Sequence, residues 1–566
     1  MRPSLIPLFG LLLAAPLAAQ DPLPVTQLDN GLGMSKYPSV ATDGNIIAAV
    51  WLEDGTNNLF CSVSPDGGNT WNAATQMDDG TGSSKWIYDY NLAVADGSIY
   101  FAWRDQRNGS KEDTYFTASH DAGASWSADL RLDDGDAPGA TDIDSVKIAA
   151  AGSDVHVIQR IDASSGESLH YLGSSDRGAS WTSLTQVDNG GGDVDYEAIA
   201  CASGSASTVH IAWCDNRNSS DDDLFYSHSH DFGTYWMADN VQLDGSGPGS
   251  GDIEGTEIHL SVSGNEDRGG IVSIAWLEDE TPASASDEEV HAIVSIDGGH
   301  NFGPDTTLQV GFDADNHFGA GHWKVNDAGS LPTSVVTWED NRSGSDEVYV
   351  AVSTDGGVSW SESQVGTGGT YPISRVGLNH IGVGYSGFGF PENPMMSTSG
   401  DRGATWAEMD MAQGQQAGDA DYTEFCFTDE PLETFVGVWL SDDLGQNQAY
   451  AGGGYFTPPS GFSLSITGLV AGGTTTIAVA GARSGNTVIA AYSLHGGGPT
   501  NTPVGPVDLT QPIKQLPSMT ADSIGNASRS LNVPPGAAGI SVWLQAVDLD
   551  PINGHLLSNS LAEVVG

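Results

Sequence analysis

Seven times along this chain the same spacing returns: a serine, an aspartate two places on, a glycine two places further, and an aromatic ring three places beyond that. The copies stand at Ser64/Asp66/Gly68/Trp71, Ser119/Asp121/Gly123/Trp126, Ser174/Asp176/Gly178/Trp181, Ser229/Asp231/Gly233/Trp236, Ser295/Asp297/Gly299/Phe302, Ser353/Asp355/Gly357/Trp360 and Ser399/Asp401/Gly403/Trp406. Self-similarity at a fixed period limits the fold more than local propensity does, because every copy must build the same unit and bury its apolar face on the next. Turn chemistry accounts for each position. The aspartate bonds backbone N–H groups across a tight turn, the glycine permits a positive φ, and the ring packs back beneath. Successive aspartates lie 55, 55, 55, 66, 58 and 46 residues apart, a period that fits one four-stranded antiparallel unit per copy.

The rest of each unit repeats as well. An alternating strand precedes each copy, as at Ser98 to Trp103, Thr208 to Trp213 and Ser334 to Trp338, then an acidic turn and a strand ending at the serine. A short strand follows, such as Leu130 to Asp133, and an acidic Gly-rich loop leads to the next first strand, such as Ser145 to Ala149. Counting first strands gives an eighth unit at Tyr422 to Phe456, whose missing fourth strand Val25 to Gly31 can supply. The seven copies in register resemble the Asp-box (BNR) repeats of sialidase-like β-propellers over roughly residues 25 to 456. That resemblance implies an all-β propeller, to which the count of first strands gives eight blades, or seven if the short unit at 380–406 merges with its neighbour. It also implies that Asp66, Asp121, Asp176, Asp231, Asp297, Asp355 and Asp401 are peripheral and structural.

With 19 Lys and Arg against 74 Asp and Glu, the formal charge is −55 over 566 residues. That excludes nucleic acid as a partner, since its affinity comes from basic residues displacing counterions, and excludes an anionic membrane surface likewise. A hydrophobic fraction of 39% with 15 Trp, 16 Tyr and 16 Phe is too rich for a disordered acidic tail and fills a large core. Residues 1–20 read as a secretory signal: Arg2, an apolar run from Leu5 to Leu13, then small residues before a cut near Gln20. The apolar run is too short to span a bilayer. We therefore expect a secreted monomer with no membrane insertion. Beyond Phe456 the copies stop and Val/Ala/Thr runs alternate with Gly and Pro turns, which reads as an Ig-like β-sandwich over 457–566. Cys201 and Cys214 flank one hairpin and could bridge; the alternative is four buried free thiols, Cys61 and Cys426 included.

Candidate chemistry gathers on the loops between second and third strands, which hold Trp103/Asp105/Arg107, Trp213/Asp215/Arg217 and Trp338/Asp340/Arg342. The stretch from Phe101 to Asp113 resembles the sialidase segment that places an arginine and the acid/base aspartate before the first box. The resemblance makes Arg107 the substrate-side arginine and Asp113 the general acid that protonates a leaving oxygen. The same frame fits Arg217 and Arg342, and a feature repeated in three units is more economically a structural Arg–carboxylate bridge between loops. Arg375, Tyr385 and Glu257 complete the ligand-binding candidates. No Arg-Ile-Pro tripeptide precedes the first unit, where Lys36-Tyr-Pro-Ser39 stands instead. Acidic loops carrying Asp142, Asp144 and Asp252 suit a calcium ion, which takes six to eight oxygens, or a neutral or cationic glycan; they repel anionic sugars. His228, His230 and His120 fall at the box turns and read as surface or packing residues.

Three functions fit: recognition of a glycan or cell-surface polymer, an exo-glycosidase of sialidase-like fold, and a structural or adhesion module. An enzyme needs two carboxylates about 5 to 10 Å apart on the loop face. A binder needs exposed Tyr or Trp there.

Overall fold

Alternating β-branched and aromatic runs, cut by Gly and Asp turns at hairpin spacing, make each repeat a meander of antiparallel strands. The structure, a computed structural model, describes residues 20–566 apart from 80–86, 133–136, 203–207, 246–252, 254–257, 264–269, 280–287, 310–313, 323–332, 388–391, 415–419, 429–433, 443–446, 457–461, 522–525, 550–555 and scattered runs of one to three residues. The secretory signal expected at 1–20 thus lies, but for Gln20, outside the described residues. The chain is all-β and divides into two compact units, Asp21–Tyr455 and one built on Phe456–Gly566.

In the larger unit the first sheet runs Met34–Asp43, Ile46–Asp54, Asn58–Ser64 and Thr75–Gln76, each strand antiparallel to the one before. Six more four-stranded sheets repeat this order, their first strands at Ile87–Ala95, Asp142–Ala151, Val194–Ala202, His259–Ser263, Ala314–His322 and Gly369–Val376. An eighth contains Ala420–Thr428, Thr434–Ser441 and Gln448–Phe456, and its outer edge is taken by the N-terminus. Thr26 pairs with Ala451 and Gln27 with Tyr450.

The core is divided among the seams between sheets. Thr208–Asp215 and Thr434–Ser441 are buried at every position, because a second strand has a neighbouring sheet against each face. One apolar cluster joins Val50 and Leu52 of the first sheet to Val94, Ile99 and Phe101 of the second. Another joins Ile47, Ala49 and Trp51 of the first to Val436, Val438 and Leu440 of the eighth. Each fully buried side chain of this size contributes roughly 1.5 to 3 kcal/mol.

The seven boxes fasten these seams. In the second sheet Ser119 Oγ donates to Asp121 Oδ1 (2.9 Å), Gly123 N donates to Ser119 Oγ (2.8 Å), and Ser125 N donates to Asp121 Oδ1 (2.8 Å). The box glycine then lies against the preceding sheet. A Cβ on Gly123 would strike Val63, on Gly178 Phe116, on Gly233 Tyr171, and on Gly68 Val436 of the eighth sheet.

In the smaller unit a three-stranded sheet (Ser463–Thr467, Thr474–Ala480, Ala527–Asn532) and a six-stranded sheet centred on Thr487–Ser493 and Ser541–Leu549 share one cluster that includes Leu464, Ile477, Val488 and Leu544. All four cysteines are free thiols, so the Cys201–Cys214 bridge is not made. No helix among the described residues is long and apolar enough to cross a membrane.

Candidate functional site

Each Trp-x-Asp-x-Arg loop closes on itself. The Trp103, Trp213 and Trp338 indoles donate to Asp105, Asp215 and Asp340 at 2.9 Å. The arginine two places on wraps the same carboxylate, with Nε at 2.9 Å for Arg107, 2.7 Å for Arg217 and 2.9 Å for Arg342. Its guanidinium lies over a ring of the third strand: Tyr115 at 3.9 Å, Phe225 at 4.0 Å and Tyr349 at 4.1 Å. The remaining amino group reaches Asp129 (2.6 Å), Asn189 (3.0 Å) or Glu362 (2.8 Å). Charge-assisted bidentate pairs over a ring use up most donors of these arginines. The fifth sheet varies the theme. Trp276 donates to Glu278 at 3.0 Å, no arginine follows, and His291 takes the ring position with Nδ1 3.0 Å from Asp305. Burial lowers the His291 pKa, but the bond to Asp305 and the charges of Glu278 and Glu289 outweigh it and raise it above the ordinary value.

Asp113 is fully buried. Its carboxylate accepts from Asn108 Nδ2 (2.6 Å) and Gly139 N (2.9 Å), with Arg131 Nε at 3.5 Å. Tyr385 occupies the place the tryptophans hold in other sheets; it is buried and donates to exposed Glu408. Arg375 is the most open of the candidate arginines, its side chain 36% exposed and 3.8 Å from Glu424. Asp142 accepts from Glu112 N at 3.0 Å, and Asp144 lies 3.9 Å from Arg104. Asp252 and Glu257 lie outside the described residues.

A feature that the sequence reading passed over stands at the start of the first strands. In seven of the eight described sheets the first strand breaks register there with a bulge. Bulges re-aim a side chain out of the pleat. The residues at these breaks are Tyr37-Pro38 in the first sheet, Tyr88 in the second, Asp144 in the third, Tyr196 in the fourth, Asn316-His317 in the sixth, Tyr371-Pro372 in the seventh and Tyr422-Thr423 in the eighth. The seventh, eighth, first and second sheets therefore carry tyrosine at this level in sequence, and first strands of adjacent sheets in this run contact one another. Tyr37, Tyr196 and Tyr371 have φ of 49°, 39° and 56°, a region costly for a large side chain and populated where surrounding structure enforces it. Tyr371 N donates to the buried Glu339 carboxylate (3.1 Å), and the Tyr90 hydroxyl donates to the Tyr37 carbonyl. Tyr37 is 53% exposed and Tyr371 43% exposed. The signal in the sequence was the repeated Tyr-Pro at 37–38 and 371–372, invisible as a set until the register aligned it.

No protein-family model and no curated protein matches the chain. Among solved structures it is similar to a polysaccharide lyase family PL25 ulvan lyase bound to -[GlcA(1-4)Rha3S]-, at 11% identity over 67% of this chain and 97% of that one, TM-score 0.42. It is similar to the BP39L lectin of Burkholderia pseudomallei at 11% identity, 66% and 98% coverage, TM-score 0.43. A leech intramolecular trans-sialidase gives 16% identity, 64% and 66% coverage, TM-score 0.34.

Proposed function

We propose that residues 21–456 form an eight-bladed Asp-box β-propeller that binds a neutral or cationic glycan at the mouth formed by its first-strand bulges. Residues 1–20 are its secretory signal, and 457–566 an appended Ig-like sandwich. The observation that carries this reading is the pair Tyr37 and Tyr371, both at first-strand bulges, both on positive-φ backbone and both exposed. A pyranose ring presents an apolar C–H face that stacks on a phenol, whose hydroxyl is left to hydrogen-bond. A chain of net charge −55 repels acidic sugars. The glycosidase reading is weakened because Asp113, Arg107, Arg217 and Arg342 are committed to bonds within the fold.

The test compares wild type with Tyr37→Asn and Tyr371→Asn, asparagine being tolerant of positive φ, on an array of neutral and amino-sugar glycans, with calorimetry on the best ligand. Each variant is expected to weaken binding about 10-fold, the worth of one lost stacking contact, with its melting temperature unchanged. Equal binding by both variants overturns the reading. So does turnover of an aryl glycoside that Asp113→Asn abolishes, which would establish the hydrolase instead.

A further inference from the structure

The turns at the opposite end of the strands bring together three histidines from two sheets. His228 lies in the third strand of the fourth sheet, Asp223–Ser229, and His230 follows the box serine. Residues i and i+2 of an extended strand face the same way. The third, His300, sits inside the box of the fifth sheet, next to Gly299. That box is pressed onto the fourth sheet: a Cβ on Gly299 would strike the Tyr226 hydroxyl, and Phe302 stands edge-on to Tyr226 with centroids 4.9 Å apart. The sequence separation of His300 from the other two hid this meeting, which the seam alone creates.

The geometry is that of a ligand set. Ring nitrogens of His228, His230 and His300 all lie within 4.8 Å of one another. The rings stand 4.5 Å (His228–His230), 5.0 Å (His228–His300) and 5.0 Å (His230–His300) apart, the first two pairs edge-on. His228 is 5% exposed, and its Nδ1 together with His230 Nε2 is buried with no hydrogen-bond partner. Buried polar atoms are seldom left so, and two in one cluster point to a missing partner. A proton cannot serve all three rings, since protonated imidazoles this close repel. A cavity of ≈ 130 Å³ opens beside them, lined by His230, His300, Asp297, Thr208 and His210, with room for a water as a further ligand.

We propose that His228, His230 and His300 bind one divalent first-row metal ion, Zn²⁺ in the first instance, across the seam between the fourth and fifth sheets. Imidazole nitrogens select zinc, copper or nickel over calcium, and three of them leave a fourth position open toward the cavity. Asp297, the box carboxylate lining that cavity, offsets part of the ion's charge. The ion cross-links a strand end to a box turn 70 residues further along, and stabilises the fold because it binds the native state alone. This site is independent of the glycan reading, lying at the other end of the strands.

The experiment uses the full chain without a histidine tag, stripped with chelator. Zn²⁺ titration by calorimetry is expected to saturate at one ion per chain and to raise the melting temperature, and Co²⁺ is expected to give the visible absorption of a tetrahedral site. His300 is exposed, so His300→Ala should fold as wild type in chelator yet bind zinc more than ~10-fold more weakly; His230→Gln should do the same. Absence of stoichiometric binding by wild type overturns the proposal, as does zinc affinity that both variants leave unchanged.

Discussion

At the scale of single residues, the repeats set different side chains at the same place in equivalent loops. Arg107 reaches Asp129, and at the same place in the fourth sheet Arg217 reaches Asn240 at 3.2 Å. Burial, then the hydrogen bond with Asp79, pushes the Asp129 carboxyl up to about 6 despite Arg107. Its ordinary value is 3.8, so the folded state holds this proton more tightly than the unfolded one. The associated stability is present below the ordinary value and is lost as pH rises through about 6. Asp129→Asn, copying the fourth sheet, should therefore raise the melting temperature relative to wild type at pH 8 by a few degrees and have no such advantage at pH 4; thermal melts across that range check it. Asp105 carries the opposite expectation. Asp105→Ala leaves the Arg107 guanidinium and the Trp103 N–H without their shared acceptor, and should cost about 3 to 5 kcal/mol in urea unfolding. The sequence showed that these arginines recur with fixed neighbours, and that repetition already favoured a structural bridge over a substrate clamp. The ring beneath each guanidinium and the carboxylate around it add weight to the bridge.

Among elements, the box shows which part of a motif is local and which is not. The hydrogen bonds made by its serine hydroxyl and aspartate carboxylate join residues no more than four apart, so the turn was legible from eight letters. The hydroxyls of Ser125, Ser180 and Ser359 hold Asp121, Asp176 and Asp355 below the usual carboxylate range, and that stability fades only as pH falls beneath it. What no octamer reveals is the partner of its glycine. Gly178 has φ of 86° and a Cβ there would sit 2.5 Å from the Phe116 ring of the preceding sheet, whereas Gly44 has φ of 56° with nothing within 4 Å. Alanine at Gly44 should cost about 1 to 2 kcal/mol from backbone alone. Alanine at Gly178 should add roughly 1 to 3 kcal/mol of overpacking. Chemical denaturation of the two variants separates the conformational from the seam contribution.

For the whole molecule, the N-terminal strand covers an edge that the last sheet would otherwise leave open. Thr26 and Gln27 cover the edge of Gln448–Phe456, and an uncovered edge is a template for pairing with another chain. A mature chain beginning at Gly33 is expected to self-associate, which light scattering after size exclusion would register as species larger than the monomer. The antiparallel strand order within each repeat and the pairing of the N-terminal strand with the last sheet were legible in the sequence, because turn chemistry and two-residue alternation act over a few neighbouring positions and the repeat states them many times. The bulge tyrosines and the three histidines were not. Their positions depend on register between strands and on how closely one sheet presses upon the next, and those are set by the summed packing of residues far apart in the chain, with no short-range signature in the letters themselves.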